Sequence, residues 1–170
     1  MKTKFFFTDI DGVWTDGSMV YHDNGLESKT FNTYDSAGVI FLRSIGIETV
    51  IVTGEKSKCV INRAKKLKIK HVFTGIKDKK ILILDFCNEY NVDISNQPYI
   101  GDDLNDHEVL KLTNYSYCPY SAPTYTKDLC KYVLQTEGGK GAFRDAVIHF
   151  IKLNWNFSEV LKSVQKSYEQ

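Results

Sequence analysis

Lys4 to Thr8 reads Lys-Phe-Phe-Phe-Thr, an almost unbroken apolar run rich in aromatics, which suits a strand buried on both faces rather than an alternating surface strand. The run stops at Asp9, and the pattern then recurs, with Ile47 to Val52, His71 to Phe73 and Pro98 to Ile100 reading as further short strands. Helical segments separate them. Ala37, Ile40, Phe41 and Ile45 recur at helical spacing from an N-cap at Asp35 or Ser36 to a stop at Gly46. Val60, Ile61, Ala64 and Leu67 mark a second helix, Ile81 to Tyr90 a third and His107 to Leu112 a short fourth. Tyr115 to Cys118 and Tyr132 to Leu134 are expected as later strands, and the chain after Gly141 as one or two amphipathic helices. Strands alternating with helices imply crossover connections, so the expected fold is α/β, a doubly wound parallel sheet with helices on both faces. One irregularity is expected. Gly17 to Thr33 alternates loosely around Asn24-Gly25, a dipeptide suited to a tight turn, and predicts a β-hairpin projecting from the domain.

With 42% hydrophobic and 25% charged residues, a chain of 170 is expected to form a single domain over 1–170. Such a domain buries roughly 70% of the unfolded surface. The 22 basic and 21 acidic residues leave a net charge of +1, which excludes a bulk electrostatic nucleic-acid binder. Apolar stretches such as Val39 to Leu42 and Ile81 to Leu84 fall far below the ~18 residues a membrane span needs. Asp9 and Asp11 cut the N-terminal apolar run before it resembles an export signal. Cys59, Cys87, Cys118 and Cys130 form no CxxC pair and no metal-ligand spacing. A cytoplasmic protein with reduced thiols, binding neither nucleic acid nor membrane, is the expectation.

In a doubly wound sheet, ligands bind at the carboxyl ends of the strands, and the unusual residues fall there. The first strand is followed by Asp9-Ile10-Asp11-Gly12, the second by Thr53-Gly54, the third by Gly75 and then Lys79, and the fourth by Gly101-Asp102-Asp103 with Asp106 beyond. Singly, each has an ordinary explanation as a turn residue, a helix cap or a solvated lysine. Jointly they place like charges at one sheet edge, which a bound cation offsets, and hard carboxylate oxygens without nearby Cys or His favour magnesium over zinc. A magnesium, two aspartates at i and i+2, a hydroxyl and a lysine make a phosphoryl-transfer site. In it Asp9 attacks phosphorus, Asp11 acts as acid and then base, and Thr53 and Lys79 bind the transferring oxygens.

DIDGVWTDG at Asp9 to Gly17, VTG at Val52 to Gly54, Lys79 and GDDLND at Gly101 to Asp106 resemble, in order, the four motifs of the haloacid dehalogenase superfamily of phosphatases. No cap-sized insertion interrupts them, as in its small capless branch. The DGVxTDG opening, FNTYDSAG at Phe31 to Gly38 and GGKGAFRD at Gly138 to Asp145 are similar to the 3-deoxy-D-manno-octulosonate 8-phosphate phosphatases and their nine-carbon relatives. The resemblance runs from about Lys4 to Ile151 and implies the Rossmann-like fold of that superfamily without a cap domain. It further implies that Asp9 is the nucleophile, Asp11 the acid/base, and Asp9, Asp102 and the backbone carbonyl of Asp11 the protein ligands of Mg²⁺. A homotetramer is implied too, in which the hairpin and the glycine-rich tail complete a neighbouring subunit's site.

Two positions depart from the octulosonate pattern: Glu55 follows Thr53-Gly54 where an arginine is usual, and Asp145 follows Arg144 where a glutamate is usual. Glu55 with Arg63 and Lys66 resembles the nine-carbon branch, whose substrates are 2-keto-3-deoxynononate 9-phosphate or an N-acylneuraminate 9-phosphate. On this reading Gly54, Glu55, Arg63 and Lys66 bind the sugar acid, with the octulosonate 8-phosphate as the alternative substrate. A phosphoacceptor receiver domain is the alternative from another class, but its phosphorylated aspartate would follow the third strand, where this chain has Gly75.

Overall fold

The structure, a computed structural model, describes residues 3–167. β1 (Phe5–Thr8) leads into a two-stranded hairpin, β2 (Val20–Tyr21) and β3 (Glu27–Ser28), and then α1 (Tyr34–Ser44). The alternation continues through β4 (Glu48–Thr53), α2 (Lys58–Lys66), β5 (His71–Thr74), α3 (Lys79–Glu89), β6 (Tyr99–Ile100) and α4 (His107–Leu110). β7 (Ser116–Cys118), α5 (Thr124–Lys127) and β8 (Tyr132–Val133) complete the sheet, and α6 (Ala142–Asn154) and α7 (Phe157–Ser167) follow. Six strands pair in parallel in the order β5-β4-β1-β6-β7-β8. β1 therefore lies at the reversal of strand order, the crevice where ligands bind in such sheets. The expected doubly wound sheet is observed, with the projecting hairpin and, among the described residues, no cap-sized insertion.

The period-two alternation of β1 divides the core. Phe5 and Phe7 pack with Ile83, Phe86, Val109 and Leu110 on the α3–α4 face. Phe6 joins Leu42, Val60, Phe143, Phe150 and Val160 on the face covered by α1, α2, α6 and α7. The expected tail helices are thus two, and α7 seats on α1 with the Phe41 and Phe157 rings 5.7 Å apart. Among the described residues no helix is long and apolar enough to cross a membrane.

The start of α1 differs from expectation. Thr33, not Asp35 or Ser36, occupies the N-cap, and Asp35 is fully buried in the first turn, where its Oδ1 accepts from Arg144 N at 3.1 Å. Its carboxylate ties the start of α6 to α1 rather than capping its own helix. Burial pushes its pKa up to about 6, against backbone and Arg144 contacts that lower it.

The loop after β1 is fixed from beneath by aromatic packing. Trp14 is fully buried, stacks on Phe143 at 4.6 Å between centroids, and donates through Nε1 to Thr8 Oγ1, which in turn donates to the Asp9 carbonyl. Phe143→Ala should remove that support at a cost of roughly 3–5 kcal/mol. At ~2–4 °C per kcal/mol for a domain of this size, calorimetry should show a Tm lower by about 6 °C or more. A Tm unchanged within error would contradict this packing.

Candidate active site

The turn that follows β1 is built on one carbonyl. Ile10 O accepts from Val13, Trp14 and Thr15 N–H groups, which curls the segment back and brings the carboxylates of Asp9 and Asp11 to the sheet edge. Gly12 makes the curl possible with φ +78°, and a Cβ there would lie 1.8 Å from Asp102 Oδ2. The Asp102 carboxylate therefore rests against bare backbone. Asp9 is 4% exposed, with Oδ1 accepting from Ile10 N at 2.7 Å and Oδ2 2.6 Å from Lys79 Nζ.

Lys79 begins α3 and is fully buried, bridging Asp9 to Asp106 Oδ1 at 2.7 Å. Asp106, 0% exposed, also accepts from the Tyr99 hydroxyl on Oδ1 and from Asp102 N and Asp103 N on Oδ2. That carboxylate is spent on four donors, so it anchors the loop after β6 and orients Lys79. One oxygen from each of Asp9, Asp102 and Asp106 lies within 4.8 Å of the others. Three carboxylates thus surround one ammonium. Burial, then the Asp106 charge, pushes Asp9 up to about 7 despite the opposing lysine. Burial, then Asp9 and Asp106, pushes Asp102 up to about 8. Lys79, although desolvated, is held above its ordinary value by Asp9 and Asp106.

These groups border a cavity of about 380 Å³. Of the residues singled out in the sequence, Asp9, Asp11, Thr53, Gly54, Glu55 and Asp102 line it, and Lys79 is buried behind Asp9. Thr53 ends β4, and its hydroxyl accepts from Glu55 N at 3.4 Å. Glu55 is exposed at the rim. Arg63 and Lys66 do not line the cavity. Arg63 Nη2 is engaged by Ser36 Oγ at 2.8 Å and Asn32 O at 3.3 Å, with its guanidinium over the Phe31 ring, and Lys66 is exposed on α2.

Sequence reasoning left Asp106 and Tyr99 without roles and passed over Thr15 and Lys29, both of which contact the Asp11 carboxylate. Asp106 carried a signal as the fourth residue after Asp102, whereas Lys29 sits in a hairpin that reads as solvated. Within one chain the glycine-rich segment packs on the loop that follows β1. Gly139 N donates to Val13 O at 3.0 Å, and a Cβ on Gly138 would lie 1.9 Å from Gly12 O. The two backbones pass so closely that no side chain fits between them.

Comparison with known proteins agrees with this geometry. A haloacid dehalogenase-like hydrolase profile matches residues 72–144. The chain is 36% identical over 142 residues to the 3-deoxy-D-manno-octulosonate 8-phosphate phosphatase of Haemophilus influenzae, covering 84% of this chain and 79% of that one. It superimposes with a TM-score of 0.90 at 30% identity on the 3-deoxy-D-manno-octulosonate 8-phosphate phosphatase of Moraxella catarrhalis, crystallised with magnesium, phosphate and a KDO molecule. That match covers 95% of this chain and 92% of the other. The cobalt-bound Haemophilus influenzae deoxy-D-mannose-octulosonate 8-phosphate phosphatase matches with a TM-score of 0.83 at 34% identity, over 88% of both chains.

Gly138→Ala should force a methyl into the Gly12 carbonyl and push the loop carrying Asp11 out of place, at roughly 1–3 kcal/mol for an overpacked site. The expected readout is a Tm lowered by ~2–12 °C. A variant as heat-stable as wild type would show that the two backbones are not in contact.

Proposed function

The chain belongs to the haloacid dehalogenase superfamily of phosphatases, alongside the 3-deoxy-D-manno-octulosonate 8-phosphate phosphatases, and on that premise we propose that it hydrolyses a keto-deoxy sugar acid phosphate through an aspartyl-phosphate on Asp9. It is a phosphoric monoester hydrolase. The observation that carries the proposal is the convergence of Asp9, Asp11, Thr53 and Asp102 on one cavity with Lys79 behind Asp9.

In the first half-reaction an Asp9 oxygen bonds to phosphorus as the bond from phosphorus to the sugar oxygen breaks, and the Asp11 carboxyl gives its proton to that departing oxygen. In the second, Asp11 takes a proton from water, the water oxygen bonds to phosphorus, and the Asp9 acyl-phosphate bond breaks to restore the carboxylate. Ester and water become sugar acid and inorganic phosphate. The Thr53 hydroxyl and the N–H groups beside it would hold the transferring oxygens, and Lys79, 2.6 Å from Asp9 Oδ2, fixes the Asp9 carboxylate.

Magnesium is the cofactor, and the residues fit it. Asp9 and Asp102 present oxygen-only donors brought together at the cavity, their pKa values raised by burial and then by neighbouring carboxylates, and with the carbonyl of Asp11 they would hold the ion. Asp106, saturated by its four donors, would not. When bound, magnesium offsets the repulsion between a phosphate dianion and the Asp9 carboxylate.

The likeness to the octulosonate enzymes favours 3-deoxy-D-manno-octulosonate 8-phosphate as substrate. One observation favours a nine-carbon substrate, 2-keto-3-deoxynononate 9-phosphate or an N-acylneuraminate 9-phosphate. Glu55 lines the cavity where the octulosonate enzymes usually carry arginine, and a carboxylate accepts from sugar hydroxyls but repels a sugar carboxylate. We read the enzyme as one domain acting in the cytoplasm, in keeping with its four free cysteines. A homotetramer with shared sites is supported by the exposed apolar side chains of Val20, Tyr21 and Leu26 on the hairpin. Arg63 and Lys66, absent from their own chain's cavity, would contribute to binding only in a neighbouring copy.

A phosphate-release screen tests the assignment. Wild type should turn over the octulosonate 8-phosphate well above hexose phosphates, and Asp9→Asn should abolish it. Preference for a nine-carbon 9-phosphate, lost on Glu55→Ala by roughly ten- to hundred-fold in kcat/KM, would move the substrate to the second reading. No release from any of these would refute the class.

The metal assignment has a readout independent of turnover. Asp9 and Asp102 rise from 3.8 in the unfolded chain to about 7 and about 8 in the folded one, so the metal-free fold binds more protons than the unfolded chain between those values. The stability this supplies at low pH is lost as pH climbs through 7 and 8. The Tm of the metal-free protein should fall between about pH 5 and 8.5, and added Mg²⁺ should raise it more at the upper end, where it competes with fewer protons. Equal Mg²⁺ stabilisation at both ends, or none, would refute it.

A further inference from the structure

The Asp11 carboxylate is held from an unexpected direction. Lys29 directly follows β3 of the projecting hairpin, where its neighbours Ser28 and Thr30 are exposed, yet its own side chain is only 1% exposed. Its Nζ reaches Asp11 Oδ1 at 2.6 Å and lies 3.5 Å from Met19 Sδ. Thr15 Oγ1 donates to the same Oδ1 at 3.3 Å. Asp11 Oδ2, by contrast, is buried and has no hydrogen-bond partner.

We propose that Lys29 is the positioning residue of the acid/base Asp11, clamping Oδ1 so that Oδ2 is the oxygen that passes the proton. The inference rests on the phosphatase reading given above. Burying an ammonium is costly unless it is paired, and a lysine whose only task were to fasten a surface hairpin has many exposed partners available to it. Here it is directed to the one carboxylate whose two oxygens must differ. A free carboxylate rotates about its terminal torsion and presents either oxygen, whereas two donors on Oδ1 remove that freedom. The same ion pair ties the acid/base to the hairpin, whose strands β2 and β3 are only two residues each.

The test separates positioning from mere structural support by the leaving group. A sugar alkoxide needs the Asp11 proton as it departs and a nitrophenolate does not, and kcat/KM reports only the steps through formation of the aspartyl-phosphate. Lys29→Met should lower kcat/KM for the octulosonate 8-phosphate by roughly ten- to hundred-fold, a share of the ~10²–10⁴ that acid–base catalysis supplies. For 4-nitrophenyl phosphate it should change by less than about three-fold, with a nitrophenol burst before slow turnover, because the second half-reaction still needs Asp11. Asp11→Asn should show the same split, and the double variant no further loss. Lys29→Gln, which keeps a donor without the charge, should show the same split at a smaller loss and serves as the test should Lys29→Met unfold. Equal losses on both substrates, or none, would overturn the positioning role while the phosphatase reading stands. A wild-type enzyme inactive on both would overturn that reading and this inference with it.

Discussion

Three carboxylates and one ammonium are drawn together at the sheet edge beneath the cavity, and the remaining architecture follows from how that charge is contained. Asp106 is neutralised in effect by geometry. Lys79, Tyr99 and two backbone N–H groups converge on it, so its charge is fixed and its loop immobile. Lys79 also reaches Asp9. What remains is the excess charge of Asp9 and Asp102, which the chain can neutralise by holding protons or by holding a cation. A site of this kind is unstable as a purely structural element, and that instability supplies the affinity for a divalent ion.

Containment of that charge needs four distant segments to meet within a few ångströms, and two means achieve it. The first is the reversal of strand order. β1 pairs with β4 on one side and β6 on the other, so Asp9, Thr53 and Asp102 emerge at adjacent strand ends although they lie far apart in the chain. The second is bare backbone. Gly12 lets the Asp102 carboxylate lie against it, and Gly138 lets the segment before α6 press on the same loop from outside. Neither close approach survives a methyl group. The α6 segment that supplies Gly138 also supplies Phe143, whose ring supports Trp14 beneath the loop, so fold stability and site geometry share the same contacts.

Much of this was legible in the sequence, because apolar runs of strand length separated by helical periodicity report a parallel sheet, and the chemistry of such a sheet lies at the strand ends. Asp9, Asp11, Thr53, Lys79 and Asp102 stood out there for that reason. The less legible residues are those whose partners lie across the fold. Asp35 reads locally as a cap, and only the arrival of Arg144 from 109 residues away makes it a buried tie. Lys29 reads as a hairpin lysine until the hairpin folds back over Asp11. Arg63 was grouped with Glu55 by a shared motif, yet helix α2 directs it to Ser36 and Asn32. At Gly138 the need for a residue without a side chain appears only once the loop after β1 is seen to pass against it.

The division of labour in the cavity bears on specificity. Asp9, Asp106 and Lys79 are buried and bonded to one another beneath the rim, so on the proposed function they face the phosphate end of the ester rather than its organic part. Discrimination must therefore come from the rim, where side chains are exposed and replaceable without disturbing the charge balance beneath. Glu55 is such a residue, joined to the phosphate end only through the turn at Thr53. On the proposed function, an anion there would disfavour a nearby sugar carboxylate and a cation would attract it, which makes this rim position the place where substrate preference would be set. Among the described residues no cap closes over this rim, so on the proposed function the far end of the sugar acid is left to solvent or to another subunit. On the proposed function, the exposed apolar side chains of the hairpin leave selection to be completed by a second copy of the chain.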